Sequence, residues 1–288
     1  MKNTEKNSHP RLLVVDGSNL LFQMFYGMPT RILNARGEAI QGTLGFVGAL
    51  LKILRRVMPT HAVVLFDGEH ENARVAINAD YKANRPDFSE MPEEETPFSQ
   101  LPYVYAALDH LGIPHRETAD CETDDWVAAY AATYGSVAEI VISSFDSDFF
   151  QLVTEQISVL RYRGDNTVLC TPDYVKERFG VSPARYADFK ALVGDTADNI
   201  KGATRVGPKT AAALLTRFGD LEGVLANAEN VSPTAVREGL LHDGARLRDN
   251  YRLIKLTGDV PLPLLLEELT YTDTGASTRG VLHAIGAQ

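Results

Sequence analysis

The chain has 288 residues, enough for one large domain or two ordinary ones, and 44% of them are hydrophobic, which supports a real core. Its 38 acidic and 28 basic side chains give a net charge of −10, which argues against a general nucleic-acid coat protein. It does not exclude a nuclease, because an acidic metal pocket and basic strips can share one surface.

No apolar run approaches membrane-spanning length. Met1 to Pro10 reads as a polar, frayed tail without the apolar core of a signal peptide. Cys121 and Cys170 form no CxxC pair, so they fit a reducing cytoplasm and neither a zinc site nor a disulfide framework.

Leu12-Leu13-Val14-Val15-Asp16 reads as a strand ending in an acid, and Gly17-Ser18-Asn19 turns the chain into an apolar helix through Phe25. Gln41 to Val57 predicts a second helix, with Leu44, Val47, Leu51 and Leu54 as its apolar stripe. Gly42, Gly45 and Gly48 recur every three residues, which suits close backbone approach to a partner or tight packing on the sheet. His61 to Asp67 is a second strand that ends in an acid. Arg74, Tyr81-Lys82 and Arg85-Pro86 follow. The segment 83–102 contains Pro86, Pro92, Pro97 and Pro102 and the acids Asp87, Glu90 and Glu93 to Glu95. It is a long excursion, and loops of that length are functional or disordered. A helix from Tyr103 to Leu111 comes next.

Acids are densest between Ala119 and Phe149. Glu122, Asp124 and Asp125 open a helix that runs to Tyr134 and closes at Gly135. Glu139 to Ser144 is a β-branched run typical of a buried strand, and Asp146 and Asp148 stand just past its end. Acids do favour the first turn of a helix, where the dipole and free N–H groups receive them. That accounts for one or two of them and not for acids recurring after other strands. Sites in open α/β sheets form outside the carboxyl ends of the strands.

Gln156 to Arg163, Gly164-Asp165-Asn166 and Thr167 to Cys170 give a hairpin signal. Pro172 opens a short helix closed by Gly180, and Ser182-Pro183 starts one reaching Val193. Strand signals nearly vanish beyond this point. The expected division is therefore a tail over 1–10, an α/β part over 11–181 and a helical part over 182–288.

Gly194-Asp195-Thr196-Ala197-Asp198-Asn199 adds two more acids, so nine candidate ligands are in view: Asp16, Asp67, Glu122, Asp124, Asp125, Asp146, Asp148, Asp195 and Asp198. Carboxylates packed closely repel and need a cation to stay ionised. Oxygen ligands without His or Cys point to Mg²⁺, with Mn²⁺ as a substitute, over zinc. Two such ions about 3.5–4 Å apart can activate water and stabilise the leaving oxygen of a phosphodiester.

Gly202 to Thr210 invites a P-loop reading, which fails because Pro208 separates Gly207 from Lys209 and no apolar strand precedes it. The segment reads better as a hairpin between two helices, with Pro208 at the first position of the second, which Thr210 to Phe218 continue until Gly219. Free N–H groups at that start, around Gly207, Lys209 and Thr210, together with Lys201 and Arg205, suit a DNA backbone phosphate.

The chain resembles the 5′→3′ exonuclease domain of bacterial DNA polymerase I and its stand-alone relatives, in the flap-endonuclease superfamily. The residues that carry the resemblance are Val14-Val15-Asp16-Gly17-Ser18-Asn19, Phe66-Asp67, Tyr81-Lys82-Ala83-Asn84-Arg85, Glu122-Thr123-Asp124-Asp125, Asp146-Ser147-Asp148, Gly194 to Asn199 and Val206 to Ala211, in family order. No polymerase domain follows in this sequence, so the resemblance is to the stand-alone form.

The resemblance implies a mostly parallel α/β sheet with a PIN-like nuclease core, a helical arch over about 83–102 and a C-terminal helix–hairpin–helix domain. It implies a monomeric, metal-dependent nuclease acting in a bacterial cytoplasm, at the nucleoid, on branched, flapped or nicked DNA and on RNA–DNA primers. K⁺ at the hairpin and a catalytic group of Tyr81, Lys82 and Arg85 at the arch base are also implied.

Three departures stand out. Ser147 replaces the family's usual Lys, which removes a positive charge beside the metals. Arg205 replaces the usual Gly of the hairpin. The arch is acidic where it would grip DNA. The rivals are weaker. A related acidic-sheet ribonuclease would lack hairpin and arch, a catalytically weak DNA-junction binder would not need the full acid set, and a haloacid-dehalogenase-type phosphatase needs an acid at position 18, which is Ser18.

Overall fold

Five parallel strands and one antiparallel strand form the central sheet, in the order β3-β2-β1-β4-β5-β6. They are β1 (Arg11–Asp16), β2 (His61–Phe66), β3 (His115–Glu117), β4 (Glu139–Ser143), β5 (Ile157–Arg161) and β6 (Val168–Cys170), the last antiparallel to β5. The computed structural model describes residues 9–288 except 69–73, 75, 76, 79, 85–87, 89 and 90. Most of the expected tail, the arch-base Arg85, and Asp87 and Glu90 lie outside the described residues.

The strands read as unbroken apolar runs because both faces are covered, as parallel sheets require. Leu12 and Val14 enter one core with Tyr130, Ile140 and Phe150, while Leu13 and Val15 enter the other with Phe46, Leu50 and Leu108. The second layer is built by α1 (Gly17–Gly27), α2 (Gln41–Val57), α3 (Leu101–Leu111) and α10 (Thr278–Ala284). Packing accounts for two of the three glycines of α2, against neighbouring side chains outside the sheet. A Cβ at Gly42 would lie 2.9 Å from the Gln100 side chain, and one at Gly45 would lie 2.9 Å from Met24.

The other face carries α4 (Thr123–Tyr134) and the later helices: α5 (Pro172–Phe179), α6 (Tyr186–Val193), α7 (Pro208–Phe218), α8 (Leu221–Ala226) and α9 (Thr234–Ile254). Between α6 and α7, β7 (Gly194–Asp195) and β8 (Ile200–Lys201) form a two-residue antiparallel ladder. Among the described residues of 83–100 the helical turns are two short 3₁₀ segments, Glu93–Glu95 and Pro97–Gln100. The end of the chain returns to the first layer, where the Tyr271 N–H donates to Thr60 O at 2.8 Å and α10 packs against α2 and α3.

Candidate functional site

Parallel strands end together, so the acids that follow β1, β2 and β4 meet at one edge. Asp16 closes β1 and caps α1: Oδ1 accepts the Asn19 N–H at 3.0 Å, and Oδ2 accepts from Ser144 Oγ at 2.8 Å. Ser144 Oγ in turn accepts the Asp146 N–H at 3.0 Å, so one hydroxyl ties the ends of β1 and β4. Asp67 Oδ1 accepts the Thr123 N–H at 2.9 Å, which brings the end of β2 to the first turn of α4. Asp16, Asp67, Glu122, Asp124 and Asp146 share the lining of a cavity of about 570 Å³ with Lys82.

These carboxylates repel. Burial, aided by Asp67 and Asp146 against the hydrogen bond from Asn19, pushes Asp16 up to about 7. Asp124 is raised well above the usual carboxylate range, by burial first and Asp146 next.

A second group adjoins the first through Asp146, whose Oδ1 accepts the Asp148 N–H at 2.8 Å. Carboxylate oxygens of Asp148, Asp195 and Asp198 lie within 4.8 Å of one another. Lys190, in α6, places its ammonium on Asp148 Oδ1 and Asp195 Oδ2. Burial works against the charged lysine, but the two carboxylates outweigh it and leave its pKa raised. Asp148 is more deeply buried than Asp195. The same ammonium therefore leaves Asp148 raised, chiefly by burial, and holds Asp195 below its ordinary value against a smaller burial penalty.

Lys190 also answers the first departure. Its Nζ lies 3.4 Å from Ser147 Oγ, so the positive charge absent at position 147 arrives from α6.

Asp125 stands apart from both groups. Its Oδ1 accepts from Arg74 Nη2 at 2.6 Å and its Oδ2 accepts the Glu122 N–H at 3.2 Å, the helix-capping role that acids in a first turn play. Arg74 also pairs with Glu122 Oε2, and Lys82 Nζ is 2.6 Å from Glu122 Oε1.

Lys82 adopts φ +58°, a left-handed conformation uncommon for a side-chain-bearing residue. The turn is clipped to the acid loop: the Lys82 N–H donates to Asp198 O at 3.1 Å, Asn84 Nδ2 to Thr196 O at 2.9 Å and Asn199 Nδ2 to Asp80 O at 2.8 Å. Tyr81 is buried, and its ring lies 4.9 Å from the Lys82 ammonium. It supports the lysine from the core.

The lining of the same cavity includes an aromatic group of Phe22, Tyr26, Phe88 and Phe98. Phe22 meets Tyr26, Phe88 and Phe98 edge to face at 6.2, 5.7 and 5.7 Å.

The hairpin leaves the acid loop through β8. Gly207 caps α7 and Pro208 takes its first turn. Lys201, Arg205, Gly207 and Lys209 are exposed, and Thr210 is half-buried. Arg205 has φ +65°, which explains why glycine suits this position.

Sequence reading missed Lys190, the pairing role of Arg74 and the aromatic wall. A single lysine inside the apolar run from Phe189 to Val193 was the available signal for Lys190. Phe22 and Tyr26, four apart on one helix, were the signal for the wall.

Two families cover the chain. The 5′-3′ exonuclease N-terminal resolvase-like domain matches residues 11–180, and the 5′-3′ exonuclease C-terminal SAM fold matches residues 181–276. DNA polymerase I of Streptococcus pneumoniae is 34% identical over 280 residues, covering 94% of this chain and 31% of that protein. The thermostable DNA polymerase I of Thermus thermophilus is 34% identical over 259 residues, covering 90% of this chain and 30% of that protein. The chain thus spans about a third of the length of these curated relatives.

Among solved structures, T5 5′-exonuclease with bound divalent zinc ions superposes with a TM-score of 0.70 at 20% identity, over 85% of this chain and 89% of that one. The catalytic core of Rad2 in complex with DNA substrate superposes with a TM-score of 0.59 at 16% identity, over 96% of this chain and 92% of that one. At these identities the likeness is one of fold.

Proposed function

The chain belongs to the 5′-3′ exonuclease family, and from that premise we propose that it is a metal-dependent, structure-specific 5′ nuclease that hydrolyses DNA phosphodiesters at 5′ ends, flaps or nicks in replication and repair. The observation that carries this reading is the convergence of eight carboxylates in two adjoining groups at the carboxyl edge of the sheet, with no His or Cys among the described lining residues.

That donor set fits hard divalent ions, Mg²⁺ with Mn²⁺ as substitute. Asp16, Asp67, Glu122, Asp124 and Asp146 would hold one ion, and Asp148, Asp195 and Asp198 a second. Such ions supply an activated water and stabilise the leaving oxygen. Lys82 stabilises the extra negative charge on the phosphate, for which preorganised cations are well suited. Tyr81 backs it, and Arg85 has the same assignment from its motif. Asp125 orients Arg74 and the start of α4.

The aromatic wall suits an unstacked base beside the acids, since aromatic faces accept any base. Lys201, Arg205, Lys209 and the N–H groups after Gly207, including that of Thr210, hold a duplex phosphate. For the K⁺ that the resemblance implies at the hairpin, Lys201 O is not a candidate, since it already accepts from both Arg246 and Asn250.

The substrates are branched, flapped or nicked DNA, including RNA–DNA primers, and the working form is a monomer in a bacterial cytoplasm. The α/β part over 11–181 supplies most of the ion ligands, and the helical part from 182 adds Asp195 and Asp198 and grips the duplex. Asp124→Ala and Asp146→Ala should abolish Mg²⁺-dependent cleavage of a flap substrate while leaving folding and flap binding in EDTA intact. Near wild-type turnover in both variants would sink the assignment.

A further inference from the structure

The hairpin that follows the acid loop is held from behind by one face of α9. Gly239 lies against Thr204 so closely that a Cβ there would sit 2.3 Å from Thr204 O. One turn later, Asp243 is buried and its Oδ2 accepts the Thr204 N–H at 2.8 Å. Asp243 Oδ1 is 2.7 Å from Arg246 Nη2 and 3.0 Å from His242 Nδ1. Arg246 Nη1 donates to both Lys201 O and Gly202 O. Asn250 Nδ2 donates to Lys201 O at 2.9 Å and to Ala191 O at 3.2 Å.

Positions 239, 243, 246 and 250 recur at helical spacing, so a single stripe of α9 handles the backbone of 201–204. The backbone it fixes carries the exposed side chain of Lys201 and leads through the exposed Arg205 into the start of α7.

We propose that Asp243 and Arg246 are positioning residues for nucleic-acid binding, an internal ion pair that sets the hairpin in the shape that receives a duplex phosphate. The proposal rests on the reading of the hairpin as the duplex grip. Neither residue touches the phosphate. The carboxylate holds an amide, the guanidinium holds two carbonyls, and the pair is locked to itself. Burial works against the charged form of Asp243, yet the bonds from His242, Thr204 and Arg246 outweigh it and hold the carboxyl below its usual range. The same bonds that place the carboxylate therefore favour its charged form.

The sign of one substitution separates this role from simple electrostatics. Asp243→Asn makes the chain less negative, which by itself should tighten binding to DNA. A positioning role predicts the reverse. Gly239→Ala leaves the charge unchanged and pushes on Thr204 directly. Both are made in wild-type and Lys209→Ala backgrounds, and binding to a nicked duplex with a short 5′ flap is measured in EDTA across a salt series, alongside thermal melting.

Each should bind about tenfold more weakly, with a salt slope lower by about one phosphate contact, and each should cost less than about threefold when Lys209 is already removed. Binding as tight as wild type or tighter, or an equal loss in both backgrounds, overturns the proposal. If Asp243→Asn fails to fold, Gly239→Ala decides. If Lys209→Ala itself changes neither affinity nor slope, the hairpin is not the duplex grip, and that reading fails before the positioning role is at issue.

Discussion

Lys190 is a buried lysine that no helix would keep for packing alone. Two carboxylates hold it, and removing one partner of such a buried set costs about 3–5 kcal/mol, because the charges left behind have lost their water. Lys190→Met should therefore lower the melting temperature in EDTA, and Mg²⁺ should restore more stability to the variant than to the wild type, since the vacated oxygens favour a divalent ion. Calorimetry with and without Mg²⁺ checks both; equal Mg²⁺ stabilisation of the two proteins would show that lysine and metal do not share these oxygens. Lys82 has a different task. It faces the cavity beside Glu122, held there by a left-handed turn clipped to the acid loop. Lys82→Ala should slow single-turnover cleavage by about a hundredfold, the scale of losing one transition-state donor, with affinity changed only a few-fold. A collapse of affinity with unchanged chemistry at saturating DNA would make Lys82 a binding residue.

At the scale of elements, α1 presents two faces. Leu20 and Leu21 enter the core, while Phe22 and Tyr26 turn to the cavity. Stacking one base on an aromatic side chain is worth about 1–3 kcal/mol and carries no charge. Phe22→Ala should thus weaken binding of a substrate with an unpaired 5′ nucleotide by about tenfold while leaving the salt slope alone, unlike any change in the hairpin. A changed slope, or equal weakening on fully paired duplex, would argue against a base on this wall. The strands and most helices were legible because a parallel sheet buried on both faces leaves continuous β-branched runs, and Gly, Pro and capping residues mark the helix ends. Asp16, Asp67, Asp146 and Asp148 were legible for the same reason, each standing at or just past a strand. Lys190, Arg74 and the Asp243 to Asn250 stripe were not. Their partners lie across the fold, and periodicity marks which face of a helix is buried but not what a polar residue on that face meets.

At the scale of the whole molecule, the acid cluster stores the cost of burying carboxylates, with their mutual repulsion added to it. Asp16 is pushed up to about 7, and Asp124 and Asp148 are raised as well, burial being the largest cause for each. Groups whose pKa is higher folded than unfolded bind more protons in the native state, so their stabilisation is complete at low pH and is lost as pH rises through the folded value. In EDTA the melting temperature should fall between about pH 5 and pH 8, and saturating Mg²⁺ should flatten that slope. A metal-free profile that rises over the same range would contradict the assignment. The two-rung ladder of β7 and β8 joins this cluster to the hairpin, since Asp195 pairs with Ile200 and Gly194 with Lys201. Adjacent rungs thus carry a proposed metal ligand, Asp195, on one strand and a proposed phosphate contact, Lys201, on the other, so the two proposed ligands meet on one piece of backbone. Whatever factor a seated duplex adds to the affinity for the ion, the ion must return to the affinity for the duplex. On the proposed function, the site would be most completely assembled on the substrate it is about to cut.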